Sequence, residues 1–142
     1  MHILGVNVFA VFVAALATMV LGFVWYSPML FARPWCVAMG YDPDDKVAMD
    51  AMRKKSGPLY ALAMVASLIA ALGLGHLIWG HLHEQSAFMG FHAGLFIWFA
   101  FVTTVQLTDT AFGGKPMKLF FINTGYQLVC YVTMGAILGA WQ

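Results

Sequence analysis

Four long apolar runs, separated by stretches that hold nearly all of the charge, set the pattern of this chain. They extend from about Ile3 to Trp25, Leu59 to Trp79, Phe88 to Thr108 and Leu119 to Trp141. Crossing a hydrocarbon core takes about 20 mostly apolar residues in a helix. Each run is about twice the length of a barrel strand and lacks a two-residue alternation, so helices are predicted rather than strands. A cleaved signal peptide competes for the first run. Its flank, Met1-His2, carries no Lys or Arg, and the run is longer than a usual signal core.

The expected fold is therefore all-α: an integral membrane four-helix bundle forming a single transmembrane domain over residues 1–142. Its longest connection covers residues 26–58. Within it, Asp42 suits an N-cap, Pro43 a first helical position, and Asp44 and Asp45 a positive helix end. Arg53, Lys54 and Lys55 crowd the other end, and Gly57-Pro58 is a stop signal. Val47, Ala48, Ala51 and Met52 supply an apolar stripe at helical spacing. These signals predict a short cytoplasmic amphipathic helix lying against the membrane between helices one and two.

Composition fits a lipid solvent. Of 142 residues, 62% are hydrophobic and 9% charged, against about 45–50% and about 25% in soluble domains. A short chain has too much surface to hide that excess inside a water-soluble core. The net charge of +1 supplies no clustered basic face for nucleic acid. The seven basic residues occupy two loops: Arg33, Lys46, Arg53, Lys54 and Lys55 in the first, Lys115 and Lys118 in the third. Positive charge in short loops stays on the cytoplasmic side. Both termini are then expected on the outer face of the membrane. Trp25, Tyr26 and Trp35 would anchor the inner interface, and Trp79 and Trp141 the outer one. The basic triplet Arg53, Lys54 and Lys55 would also suit anionic lipid, beside its ordinary roles in topology and capping.

Polar groups inside the spans should face protein or water. Ser27, Gln106, Asp109, Asn123 and Gln127 form a candidate polar path or ligand-contact set near the basic side, with Thr103 and Thr110 on the same stretch of helix three. Gln106 shares a face with Thr103 and Thr110, as Asn123 does with Gln127. They either line a vestibule for a small solute or ion, or hydrogen-bond helices to one another. All five histidines lie toward the other side, at positions 2, 76, 81, 83 and 92. His76 and His92 are candidate metal ligands, although zinc requires three or four ligands with supporting partners. Glycine pairs Gly90-x-x-x-Gly94 and Gly135-x-x-x-Gly139 are helix-packing faces, within one chain or between chains. The two cysteines, Cys36 and Cys130, fall in a loop and mid-span, too far apart in depth for a bridge.

No nucleophile elbow, phosphate-binding loop or metalloprotease helix is present, and no cofactor is predicted. Gly113-Gly114-Lys115-Pro116 reads as a tight turn. Three function classes stay open: a small transporter or channel working as a homo-oligomer, an accessory subunit docking a partner, and a metal-dependent membrane enzyme using the histidines. Four helices enclose little space, so a cavity would call for several copies.

Leu21-Gly22-Phe23-Val24-Trp25-Tyr26-Ser27-Pro28, followed by Phe31, Trp35 and Gly40, resembles the signature of the domain of unknown function 1761 family. Gly125-Tyr126-Gln127-Leu128-Val129 and Met134-Gly135-Ala136-Ile137-Leu138-Gly139-Ala140-Trp141 extend the likeness to the C-terminal part. Ala32-Arg33-Pro34 departs from it, standing where Gly-Lys-Ala is usual. The resemblance implies a small bacterial four-helix membrane protein and carries no activity with it.

Overall fold

The computed structural model describes residues 1–81 and 86–141. The second loop, with His83 and Glu84, lies outside the described residues. Among the described residues, four helices are long and apolar enough to cross a membrane: Val8–Trp25, Gly57–His81, Ala87–Phe112 and Met117–Ala140. The boundaries differ from the sequence expectation at each end, for local reasons.

The first helix, α1, covers Val8–Trp25, several residues later than the apolar run begins. Ahead of it a hairpin pairs β1, His2–Ile3, with β2, Val6–Asn7. Leu4 and Gly5 both have positive φ, 54° and 82°, the geometry of a two-residue hairpin turn. Val6 is fully buried, and Asn7 accepts from the Phe9 amide to cap α1. Hydrophobicity alone could not separate this hairpin from the helix it precedes.

The loop of residues 26–58 holds two helices, α2 (Ala32–Ala38) and α3 (Lys46–Lys55). Asp45 rather than Asp42 caps α3, accepting from the Ala48 amide at 3.1 Å. Asp42 instead closes a turn by accepting from the Asp44 amide, and Asp44 pairs with Arg33 at 2.9 Å. The side of α3 that meets α2 carries Met49, whose Sδ lies 4.0 Å from Cys36 Sγ, while Val47 is 82% exposed. Gly57-Pro58 joins helices instead of stopping one. Ser56 ends α3, and its carbonyl accepts the Tyr60 amide to open α4, Gly57–His81. Proline is harmless there because the first amides of a helix have no intrahelical partner.

The third span comprises α5 (Ala87–Ile97), a π-helical turn (Trp98–Val102) and α6 (Thr103–Phe112). It continues past Asp109, beyond the predicted end. Gly114 stops it with φ 64°, and the Lys115 amide reaches back to the Thr110 carbonyl, a Schellman closure. Pro116 then leads into α7, Met117–Ala140.

Helix α7 is the centre of the arrangement. It packs extensively on α5, on α1 and on α4, while α1 and α4 also pack together and α4 touches α5 only briefly. Val6, Ala10, Ala14, Ala71, Leu74, Ile78, Met134 and Leu138 form the buried core between α1, α4 and α7. The α5–α7 contact is made by glycine. A side chain at Gly90 would collide with the Gly135 carbonyl, one at Gly94 with the Tyr131 carbonyl, and one at Gly139 with the Ser86 carbonyl.

Gly90→Val should therefore destabilise the protein by at least the about 1–3 kcal/mol typical of overpacking. Gly73 on α4 faces open space, and Gly73→Ala should be neutral or stabilising by up to about 1 kcal/mol. Thermal unfolding of the two variants in one detergent distinguishes them. Equal losses would contradict the close α5–α7 contact.

Candidate functional site

The end of α1 and the first half of α7 meet in a layer of aromatic and polar side chains. Trp25 reaches across to α7, its Nε1 donating to the Ile122 carbonyl at 3.1 Å. Its ring lies over Gly125, where an added Cβ would stand 3.1 Å from the indole. Next to it, the Tyr26 hydroxyl donates to Asn123 Oδ1 at 2.8 Å. The Tyr26 ring makes edge contacts with Tyr126 at 5.3 Å and Trp35 at 6.0 Å. Burial, and secondarily the Cys130 thiol, pushes the Tyr26 phenol well above its ordinary range. It therefore keeps its proton and serves as a donor.

Deeper in, the Tyr126 hydroxyl donates to the Thr18 carbonyl at 3.0 Å and rests against Gly22. Thr18 Oγ1 lies 2.7 Å from the Ala15 carbonyl and 2.9 Å from Ser67 Oγ. This chain of contacts links α7 to α1 and α1 to α4. On the opposite face of α7, Thr124 Oγ1 donates to Gln106 Oε1 at 2.6 Å. Trp98, in the π-helical turn, donates through Nε1 to the Thr124 carbonyl at 2.9 Å. Two indoles thus engage α7 carbonyls from opposite sides, two residues apart in the helix.

A family described as "Protein of unknown function (DUF1761)" matches residues 9–139. The chain belongs to this family. No curated protein and no solved structure matches it. In this DUF1761 member, the stretch Leu21–Pro28 and the stretch Gly125–Val129, far apart in sequence, are the surfaces that meet through Trp25, Tyr26, Gly125 and Tyr126.

The five residues of the candidate polar path are not gathered round one space. Asn123 faces Tyr26, Gln106 faces Thr124, and Asp109 pairs with Lys115 at 2.6 Å on an exposed turn. Gln127 is half-buried on α7, and its side chain makes no hydrogen bond among the described residues. Ser27 lends its main chain: its carbonyl accepts the Leu30 and Ala32 amides as the chain turns from α1 into α2. Thr103 Oγ1 is buried with no hydrogen-bond partner among the described residues.

At the other end of the molecule, Trp79 packs on Gly5 and Trp141 meets Phe9 edge-on at 5.2 Å. His76 Nδ1 lies 3.0 Å from the Leu4 carbonyl, and His92 Nδ1 lies 2.8 Å from the Phe88 carbonyl. Each ring is thus committed to a different backbone carbonyl. Among the described residues no three His, Cys, Asp or Glu side chains come together as a metal-holding group.

Sequence inspection passed over Thr18, Ser67, Trp98 and Thr124. A signal for them exists. Thr18 and Ser67 are isolated hydroxyls in otherwise apolar runs, where a partner on another helix is the natural way to satisfy them. Trp98 sits mid-span, far from any headgroup layer, so its N–H needs an acceptor inside the protein.

Removing either partner of the Tyr26–Asn123 bond, by Tyr26→Phe or Asn123→Leu, should cost on the order of 0.6 kcal/mol, the average for such contacts in membranes. The double variant should lose less than the sum of the two. A double-mutant cycle followed by thermal unfolding reads that coupling, and strict additivity would deny the bond.

Proposed function

We propose that this protein is an accessory membrane subunit, a helical scaffold that docks a partner within the bilayer. The observation that carries the reading is how its polar groups are used. Tyr26 with Asn123, Gln106 with Thr124, and Asp109 with Lys115 form three separate pairs. Side chains committed to fastening one element to another are poor stepping stones for a solute. The third span adds support, because α7 holds it on one side and Phe96, Phe99 and Phe101 stand exposed on its outer surface. Aromatic residues of that kind suit a contact with another helix as well as with lipid.

A homo-oligomeric transporter or channel is the second reading, favoured by Gln127. A half-buried amide without a hydrogen bond is costly in hydrocarbon, and a second copy or a solute would relieve it. In either case the cell context is proposed to be the bacterial inner membrane, with the basic end in the cytoplasm and both termini outside. That orientation rests on the distribution of the seven basic residues.

Reconstituted vesicles separate the two readings. The scaffold reading expects flux of ions and small neutral solutes equal to that of protein-free vesicles. Flux well above that baseline, reduced by Gln127→Leu or Asp109→Asn in a stably folded protein, would replace it with transport.

A further inference from the structure

The charges of the first loop are unevenly spent. Arg33 is neutralised by Asp44, and in the third loop Lys115 is neutralised by Asp109. Arg53, Lys54 and Lys55 are exposed, and none forms an ion pair or side-chain hydrogen bond among the described residues. Asp50, one turn earlier on α3, is exposed and likewise unpaired.

Helix capping does not exhaust this charge. The C-terminal end of a helix presents roughly half a negative charge. Together with Asp50 it offsets only part of three adjacent cations. The surplus sits in a defined place, since Ser56 alone separates Lys55 from the first residue of the membrane-crossing α4. The Ser56 hydroxyl bonds back to the Met52 carbonyl at 2.7 Å, so this junction is tied rather than loose. Immediately beyond it, Leu59 and Leu62 are 61% and 65% exposed on α4. Cations next to the start of a span whose first turns carry exposed aliphatic side chains match the two halves of a phospholipid.

We infer that Arg53, Lys54 and Lys55 hold the headgroup phosphate of an anionic phospholipid whose acyl chains lie along the start of α4. Guanidinium binds phosphate with two parallel N–H donors, and the adjacent lysines add point charge. A zwitterionic lipid offers the same tails and a phosphate, but its own cation competes with the protein for that phosphate. The site therefore selects by net headgroup charge. It is independent of whether the protein docks a partner or passes a solute.

Native mass spectrometry of the full chain, released from an equimolar mixture of phosphatidylglycerol and phosphatidylcholine, tests the assignment. Preferential retention of phosphatidylglycerol is expected. That preference should fall about fivefold for each cation removed, across Arg53→Gln and the triple variant Arg53→Gln, Lys54→Gln, Lys55→Gln. Lys118→Gln should leave it unchanged. Raising salt on the unaltered protein should erode the preference, which keeps the test decisive if the triple variant does not fold. Equal retention of the two lipids, a preference untouched by Arg53→Gln, or displacement of the lipid by inorganic phosphate alone would overturn it.

Discussion

Contact between α5 and α7 runs backbone against backbone, and the rest of the molecule is arranged round that fact. In lipid there is no hydrophobic drive to press two helices together. Close approach has to be made worthwhile by dispersion and by weak polar contacts over a long, smooth interface. Gly90, Gly94, Gly135 and Gly139 supply that smoothness by removing any side chain that would hold the axes apart. With one face of α7 committed in this way, its remaining circumference is left for α1 and α4. There the contact changes character, from bare backbone to an interlocked set of rings and hydroxyls around Trp25, Tyr26 and Tyr126. A single helix thus makes two kinds of interface.

The spans were legible because the energetic penalty for charge in hydrocarbon is large enough to mark a sequence over 20 or so residues. Family membership was legible from Trp25-Tyr26-Ser27-Pro28 and the glycine-rich final run. Boundaries were less so. In the hairpin before α1, Ile3, Leu4, Gly5 and Val6 read as the start of the apolar run, and the paired positive φ values of Leu4 and Gly5 reveal the turn. Gly57-Pro58 carries the same signal at the end of one helix as at the beginning of another, and Ser56 here serves both. Of the three aspartates ahead of α3, Asp45 caps the helix while Asp42 closes a turn and Asp44 pairs with Arg33.

Polar side chains were the hardest to interpret from sequence. Helical spacing suggests which residues share a face, but it cannot say what stands opposite. Asn123 and Thr124 are neighbours in sequence, yet they look to different sides of α7 and find Tyr26 and Gln106 respectively. A list of polar positions at similar depth therefore resembles a path, whereas Asn123, Gln106 and Asp109 each have a partner of their own. That distinction bears directly on function, because fastenings and paths respond oppositely to water.

The π-helical turn at Trp98–Val102 has a consequence for the phase of everything after it. Its five-residue hydrogen-bonded step, with the Thr103 amide reaching the Trp98 carbonyl, winds more slowly than an ordinary turn. Continued at the usual 3.6-residue period from Gly90 and Gly94, the stripe meeting α7 would run through Phe101, Val105 and Thr108. Those three are exposed, and the stripe that arrives instead holds Gln106 and Thr110. The slow turn works like a slipped tooth in a gear. It lets one continuous helix present glycine to α7 along its first half and an amide along its second, two surfaces that an unbroken winding would have pointed in different directions.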